Sequence, residues 1–99
     1  MRYYRVVMRS FRDKDTELVF NRLPARRFTS DILRAARRKL LILNAAERLV
    51  DLRILPSNRL ERLSGGREGQ HSIRINGRWR ICFRWCDADA YDVEIVDYH

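Results

Sequence analysis

The sequence predicts an α+β fold: two N-terminal helices packed on one face of an antiparallel β-sheet. Three observations predict it. Ile32, Ala36, Leu40 and Leu43 recur at helical spacing in the first half. Gln70–Ile75, Arg78–Trp85 and Tyr91–Tyr98 are rich in β-branched and aromatic residues in the second half. The order is therefore β-α-α followed by a strand-rich half, which places the helices together on one sheet face.

The elements follow in order. Arg2–Phe11 is rich in Tyr and Val and reads as a strand. Asp13 or Asp15 caps a short helix over Thr16–Arg22, and Pro24 forbids its continuation. The second helix starts at Ser30 as N-cap, with Asp31 where the helix dipole favours an anion. Leu33 and Ala35 widen its apolar stripe. Arg34, Arg37, Arg38 and Lys39 cover the remainder, either as a solvated face or as a contact surface for a polyanion or partner. Leu49–Leu55 packs as an extended or short helical piece, Pro56-Ser57-Asn58 turns, Arg59–Leu63 is a short strand, and Ser64-Gly65-Gly66 is a loop.

The chain has 99 residues and no linker or repeat, so a single domain over 1–99 is expected. Of 21 basic residues, 19 are Arg, and the net charge is +8. Arg grips phosphate bidentately and stacks on bases, so a polyanionic partner leads. All the basic residues lie at or before Arg84, whereas five of the 13 acidic ones lie after it. A basic body thus ends in an acidic strand. No apolar run approaches a membrane span, and the N-terminus MRYYRVVMRSF lacks the apolar core of a signal peptide. A cytoplasmic location is expected, with Cys82 and Cys86 reduced; four residues apart in one strand they lie about 13 Å from each other. Only His71 and His99 are present, and no spacing resembles a metal site, so no metal or cofactor is expected.

Strand parity sharpens the sheet. Asn76-Gly77 looks like a two-residue turn, but that loop would mix apolar and charged residues on both faces. A three-residue loop including Arg78 pairs Ile75 with Trp79 and Ile73 with Ile81. Pairing Trp85 with Tyr91 then sets Phe83 opposite Val93, Ile81 opposite Ile95, and Arg84 opposite Asp92. One face carries Ile73, Ile75, Trp79, Ile81, Phe83, Trp85, Val93 and Ile95, the core. His71 and Asp97 fall on that side as well. The other carries Ser72, Arg74, Arg80, Cys82, Arg84, Asp92, Glu94, Val96 and Tyr98. Arg74 beside Arg80 costs folding energy unless an anion is shared between them; phosphate is the natural one, with Glu61 or Glu94 as alternative neutralising partners.

At these residues the chain resembles a known family. Asn58-Arg59-Leu60-Glu61-Arg62-Leu63-Ser64-Gly65, the run Arg67–Asn76, Trp79-Arg80-Ile81-Cys82-Phe83 and the terminal Asp97-Tyr98-His99 are similar to HigB toxins of the RelE/ParE toxin–antitoxin superfamily. Ser10–Glu17 is similar to the family's opening, and the resemblance covers residues 8–99; since the family starts close to Met8, it implies that residues 1–7 are either an N-terminal extension or a matter of start-site assignment. It implies a ribosome-dependent, metal-independent mRNA endonuclease that enters the decoding site of the 70S ribosome. It also implies a HigA-like helix-turn-helix antitoxin as partner, with operator DNA contacted only through that antitoxin. The family's cleft lies on the sheet face away from the helices. Its function carries onto Arg80 and onto Asp97, Tyr98 and His99. Some members place a His in the cleft where this chain has Glu61.

RNA cleavage by internal attack needs a base near the 2′-hydroxyl, an acid near the leaving 5′ oxygen and positive charge at the phosphorane. His99 suits acid or base work because its ordinary pKa lies near neutrality. Glu61 is a candidate base, Arg74 and Arg80 face the phosphorane, and Tyr98 stacks on a base or donates a hydrogen bond. Arg84, Arg59, Arg67, Arg37 and Arg38 complete the phosphate-binding candidates. Each has a plainer reading. A terminal His is usually frayed, Tyr98 can pack at a sheet edge, Asp97 can orient rather than catalyse, and Glu61 can pair with Arg59 or Arg62. His71, Trp79 and Trp85 read as packing residues. Competing functions are a non-catalytic, gyrase-directed ParE-like inhibitor and a plain RNA-binding module.

Overall fold

The computed structural model describes residues 6–97. Two helices, α1 (Lys14–Phe20) and α2 (Ser30–Ala45), precede four strands: β1 (Glu61–Arg62), β2 (His71–Arg74), β3 (Trp79–Cys86) and β4 (Asp89–Asp97). The strands form one antiparallel sheet in the order β1-β2-β3-β4. One-turn 3-10 segments at Leu49–Arg53, Pro56–Asn58 and Gly65–Arg67 fill the connections around β1. The expected α+β architecture is the observed one.

Both helices start from side-chain caps. Asp13, not Asp15, caps α1 through its carboxylate, which accepts from Thr16 N. This helix ends at Phe20, two residues before the expected Arg22, because Arg22 turns into the left-handed region (φ 61°) and Pro24 follows. Thr29 rather than Ser30 caps α2: Thr29 is extended and its hydroxyl accepts from Ile32 N, while Ser30 is already helical. Ala36, Leu40 and Leu43 are buried as the periodicity requires. Lys39, expected on the outward basic face as solvated or contact surface, is buried; its ammonium donates to Asn58 Oδ1 at 2.6 Å and Ser57 Oγ at 3.2 Å.

The core lies between α1, α2 and one sheet face. Val19, Ala36, Leu40 and Leu43 meet Ile73, Ile75, Ile81, Phe83, Val93 and Ile95 there, and Trp79 and Trp85 pack against its margin. Thr16 welds α1 to the sheet. Its hydroxyl donates to Asp13 Oδ1 at 2.6 Å and accepts from Ile95 N at 2.9 Å, fully buried. Thr16→Val keeps the shape but leaves the Ile95 N–H without its acceptor. The expected loss is about 1–3 kcal/mol, read from urea denaturation; an unchanged midpoint would mean that the weld contributes nothing.

The β2–β3 register is the expected one, with Ile73 opposite Ile81 and Arg74 opposite Arg80. The loop spans Asn76-Gly77-Arg78, with Ile75 N bonded to Trp79 O. Asn76 Oδ1 closes it by accepting from both Arg78 N and Trp79 N.

The β3–β4 pairing departs from expectation at one end. Ile81 does face Ile95, but Trp85 pairs with Ala90 and Arg84 with Tyr91. The expected Trp85–Tyr91 and Arg84–Asp92 pairs are therefore absent from the register. A bulge sets Asp92 and Val93 against Phe83 between the Cys82–Glu94 and Arg84–Tyr91 pairs, with Asp92 left-handed (φ 53°). The turn is the two-residue Asp87-Ala88, both left-handed (φ 49° and 67°), the hairpin geometry normally given to Asn-Gly.

The expected first strand is also altered. Residues 2–5 lie outside the described part. Beyond them, the segment makes two isolated parallel bridges to β4, Met8–Ala90 and Phe11–Val93, rather than a continuous strand. The cause is the same bulge: at Asp92 the backbone N–H donates to Ser10 Oγ instead of to a ladder carbonyl.

Candidate active site

The sheet face away from the helices is built on Arg80. β3 parity points it there, opposite Arg74 on β2 and Val96 on β4. Only 7% of Arg80 is exposed. Its Nε donates to Ser72 Oγ at 2.8 Å and its Nη2 to Arg59 O at 2.7 Å, with a longer bond to Ser72 O at 3.4 Å. Glu61 Oε1 stands 3.9 Å from Nη2, on a side chain that is half exposed. A buried charge held by oriented dipoles has a fixed direction and little water to screen it.

Arg74 stands opposite Arg80 in the β2–β3 register. Its Nε turns to Asn76 O at 3.0 Å, so the two neighbouring guanidinium groups are each tied to a backbone carbonyl.

Next to Arg80, an open cleft of about 350 Å³ is lined by Glu61, Arg62, Leu63, Ser64, Gly66 and Arg67. Arg67 crosses the face to Glu94 Oε1 at 3.2 Å and also donates to Gln70 Oε1. Glu94 meets Arg12 as well, at 3.8 Å. Buried beneath these groups, the Cys82 thiol has its pKa pushed up by burial, so it stays an inert thiol. Arg84 keeps its carboxylate partner despite the bulge, Nε lying 3.5 Å from Asp92 Oδ2. Gly69 lies under it: left-handed (φ 89°), its position would bring a Cβ to 2.8 Å from Arg84 Nη1.

The structure thus sets Glu61 and the Arg59 carbonyl against Arg80, with Arg74 opposite it in the register and Arg67 on Glu94, while Arg84 lies four residues further along β3 on Asp92. It does not bring Arg37 to them. That side chain belongs to α2, across the sheet, and donates to Val19 O at 3.3 Å. Arg38 lies on the same helix and is exposed. Asp97 closes the end of the sheet opposite Trp79, and both its oxygens accept from Arg78, at 2.9 and 2.7 Å. That pairing raises the Arg78 pKa. Tyr98 and His99 lie outside the described residues. Among those described, no three His, Cys, Asp or Glu side chains gather as metal ligands, and no helix is long and apolar enough to cross a membrane.

Sequence reasoning put Ser72 on the Arg80 face but gave it no task. It also missed the Arg59 carbonyl, which no pattern of side chains announces. Arg59 is left-handed (φ 43°) after the Pro56–Asn58 turn, and in that conformation its oxygen meets Arg80 Nη2.

His71 is the packing residue that parity indicated. Its ring stacks on Phe83, centroids 6.2 Å apart, and its Nδ1 is buried without a hydrogen-bond partner. Burial, then the positive charge of Arg62, lowers its pKa below 6.5. A base with a depressed folded pKa binds more protons when unfolded. Its contribution is therefore complete above about pH 6.5 and fades as pH falls toward the lowered folded value. Melting temperatures between pH 7.5 and 5.5 should fall more steeply for the wild type than for His71→Gln; parallel curves would contradict this reading of His71.

Residues 9–99 match the family model described as RelE-like toxin of type II toxin–antitoxin system HigB. Toxin HigB-1 of Vibrio cholerae is 49% identical over 61 residues, covering 62% of this chain and 64% of that protein. Endoribonuclease HigB of Proteus vulgaris is 44% identical over 41 residues, covering 41% and 45%. The chain thus aligns with less than two thirds of the length of either relative. A YoeB–YefM complex from Staphylococcus aureus contains a chain of similar fold, with TM-score 0.57, 14% identity, and coverage of 93% of this chain and 97% of that one. The match over nearly the whole chain, on a sheet face organised around Arg80, places the protein in the HigB-like family of RelE-like toxins of type II toxin–antitoxin systems.

Proposed function

We propose that this chain is an endoribonuclease that cleaves message on the translating 70S ribosome and so arrests growth. The observation that carries the reading is the buried, direction-fixed guanidinium of Arg80 beside the Glu61 carboxylate, in a chain whose family membership is established. The Proteus relative's name, endoribonuclease, supports the reaction class.

Internal attack by a 2′-oxygen on phosphorus gathers charge on the non-bridging oxygens, and Arg80 supplies a preorganised counter-charge. Glu61 takes the 2′-hydroxyl proton. His99 protonates the leaving 5′ oxygen, and Tyr98 stacks on a base; both roles rest on the terminal motif. Asp97 orients that terminus, since both its carboxylate oxygens are engaged by Arg78. Arg67, Arg84, Arg59 and Arg74 attract the backbone of the message, and Arg37 and Arg38 offer charge on the far side to ribosomal RNA. A helix-turn-helix antitoxin neutralises the toxin and carries it to operator DNA, and the site of action is the cytoplasm.

Expression in cells lacking the antitoxin, followed by mapping of RNA 5′ ends, tests the reading. Growth arrest with new cuts inside translated messages is expected. DNA damage without such cuts would favour the gyrase-directed alternative, and neither effect would leave only RNA binding.

A further inference from the structure

We propose that Lys39 and Asn58 are positioning residues for Arg80, reaching it from the helix layer through the Arg59 carbonyl. The inference rests on the reading of Arg80 as the phosphate-facing cation.

The connection is continuous. Lys39 Nζ, on α2, donates to Asn58 Oδ1 at 2.6 Å, and Asn58 Nδ2 donates to Leu52 O at 3.0 Å. Both ends of the amide are thereby used, and Asn58 is fully buried. It is pinned between α2 and the Leu49–Arg53 turn. The next residue is Arg59, whose left-handed backbone presents the carbonyl that accepts from Arg80 Nη2 at 2.7 Å. That conformation is unfavourable for a side-chain-bearing residue and persists only where its neighbours hold it. The pinned Asn58 on one side and the Arg80 bond on the other do so.

Burying the Lys39 ammonium carries a desolvation cost. Its acceptors, Ser57 Oγ and Asn58 Oδ1, are neutral. Burial and then the positive charges of Arg38 and Arg74 lower its pKa. Set against that cost, the ammonium fixes Asn58 and with it the Arg59 carbonyl that Arg80 meets.

The test is a double-mutant cycle on message cleavage by purified protein with programmed ribosomes. Lys39→Met keeps the aliphatic stem and drops the ammonium. It is expected to lower kcat about tenfold with KM within about twofold, and Lys39→Arg is expected to recover much of the loss. Asn58→Ala should act in the same direction. In an Arg80→Ala background the Lys39→Met effect should vanish, because both changes remove one function. The Arg80 Nε–H resonance should shift in Lys39→Met at temperatures where the variant is fully folded. If the two losses multiply, or the Arg80 resonance stays in place, the positioning role is overturned. If instead Arg80→Ala cleaves as the wild type does, the underlying reading of Arg80 fails. Should Arg80→Ala not fold, Arg80→Lys closes the same cycle, since it keeps the charge and loses the fork.

Discussion

Arg80→Ala is expected to lower message cleavage by roughly 10²–10³-fold, the usual loss when one preorganised donor to a developing oxyanion is removed. The same substitution strips donors from Arg59 O and from Ser72. A stability loss of about 1–3 kcal/mol accompanies it. The two effects separate experimentally. Denaturation locates the folded range, and cleavage assayed well inside that range reports the chemistry. Arg80→Lys retains charge but offers no fork for two acceptors, so it should restore only part of the activity. Ser72→Ala removes one acceptor and leaves the Arg59 carbonyl in place, and a smaller loss is expected. Wild-type cleavage by folded Arg80→Ala would mean that the polar sheet face serves binding alone.

The largest effect on stability is expected at Phe83. Its ring is fully buried and stands between His71 on β2 and Trp85 on its own strand, with centroid separations of 6.2 and 6.4 Å. It also sits opposite the Asp92–Val93 bulge, so its loss opens a cavity where the ladder is already irregular. Phe83→Ala should cost about 3–5 kcal/mol. Against the 5–15 kcal/mol of an ordinary domain, that brings the chain close to unfolding at growth temperature. Phe83→Leu should cost much less, because most of the volume remains. Denaturant midpoints at constant slope would verify both, and a Phe83→Ala loss below about 1 kcal/mol would contradict the placement of the core.

The sheet was legible where alternation is strict. Ile73, Ile81 and Ile95 alternate with Ser72, Arg80 and Glu94, so parity alone assigned the faces and the Asn76-Gly77-Arg78 loop. It stopped being legible where one residue departs from the pleat. Asp92 bulges in a left-handed conformation without the glycine that usually advertises one, and every pair beyond it slips. The Asp87-Ala88 turn hides for the same reason. Lys39 was misplaced because periodicity treats any lysine on a helix as solvated. Its burial follows from Asn58, 19 residues away, and no helical pattern contains that partner.

The site divided similarly. Parity placed Arg80 on the polar face, whereas Glu61 entered as an alternative neutralising partner and through the family's cleft position; β1–β2 pairing sets Glu61 opposite Ser72. The support of Arg80 was not legible, because a backbone carbonyl carries no residue identity. Parity put Tyr98 on the polar face, but a task for it and for His99 at the chain's end came with the family motif.

The most direct test of the account is the chemistry of the RNA ends formed by purified protein on programmed ribosomes, wild type beside Arg80→Ala. Internal attack predicts wild-type fragments with 5′-hydroxyl and cyclic or simple 3′-phosphate ends, and a loss of those fragments in the variant. Intact message with the wild type, or equal cleavage by both proteins, would contradict it.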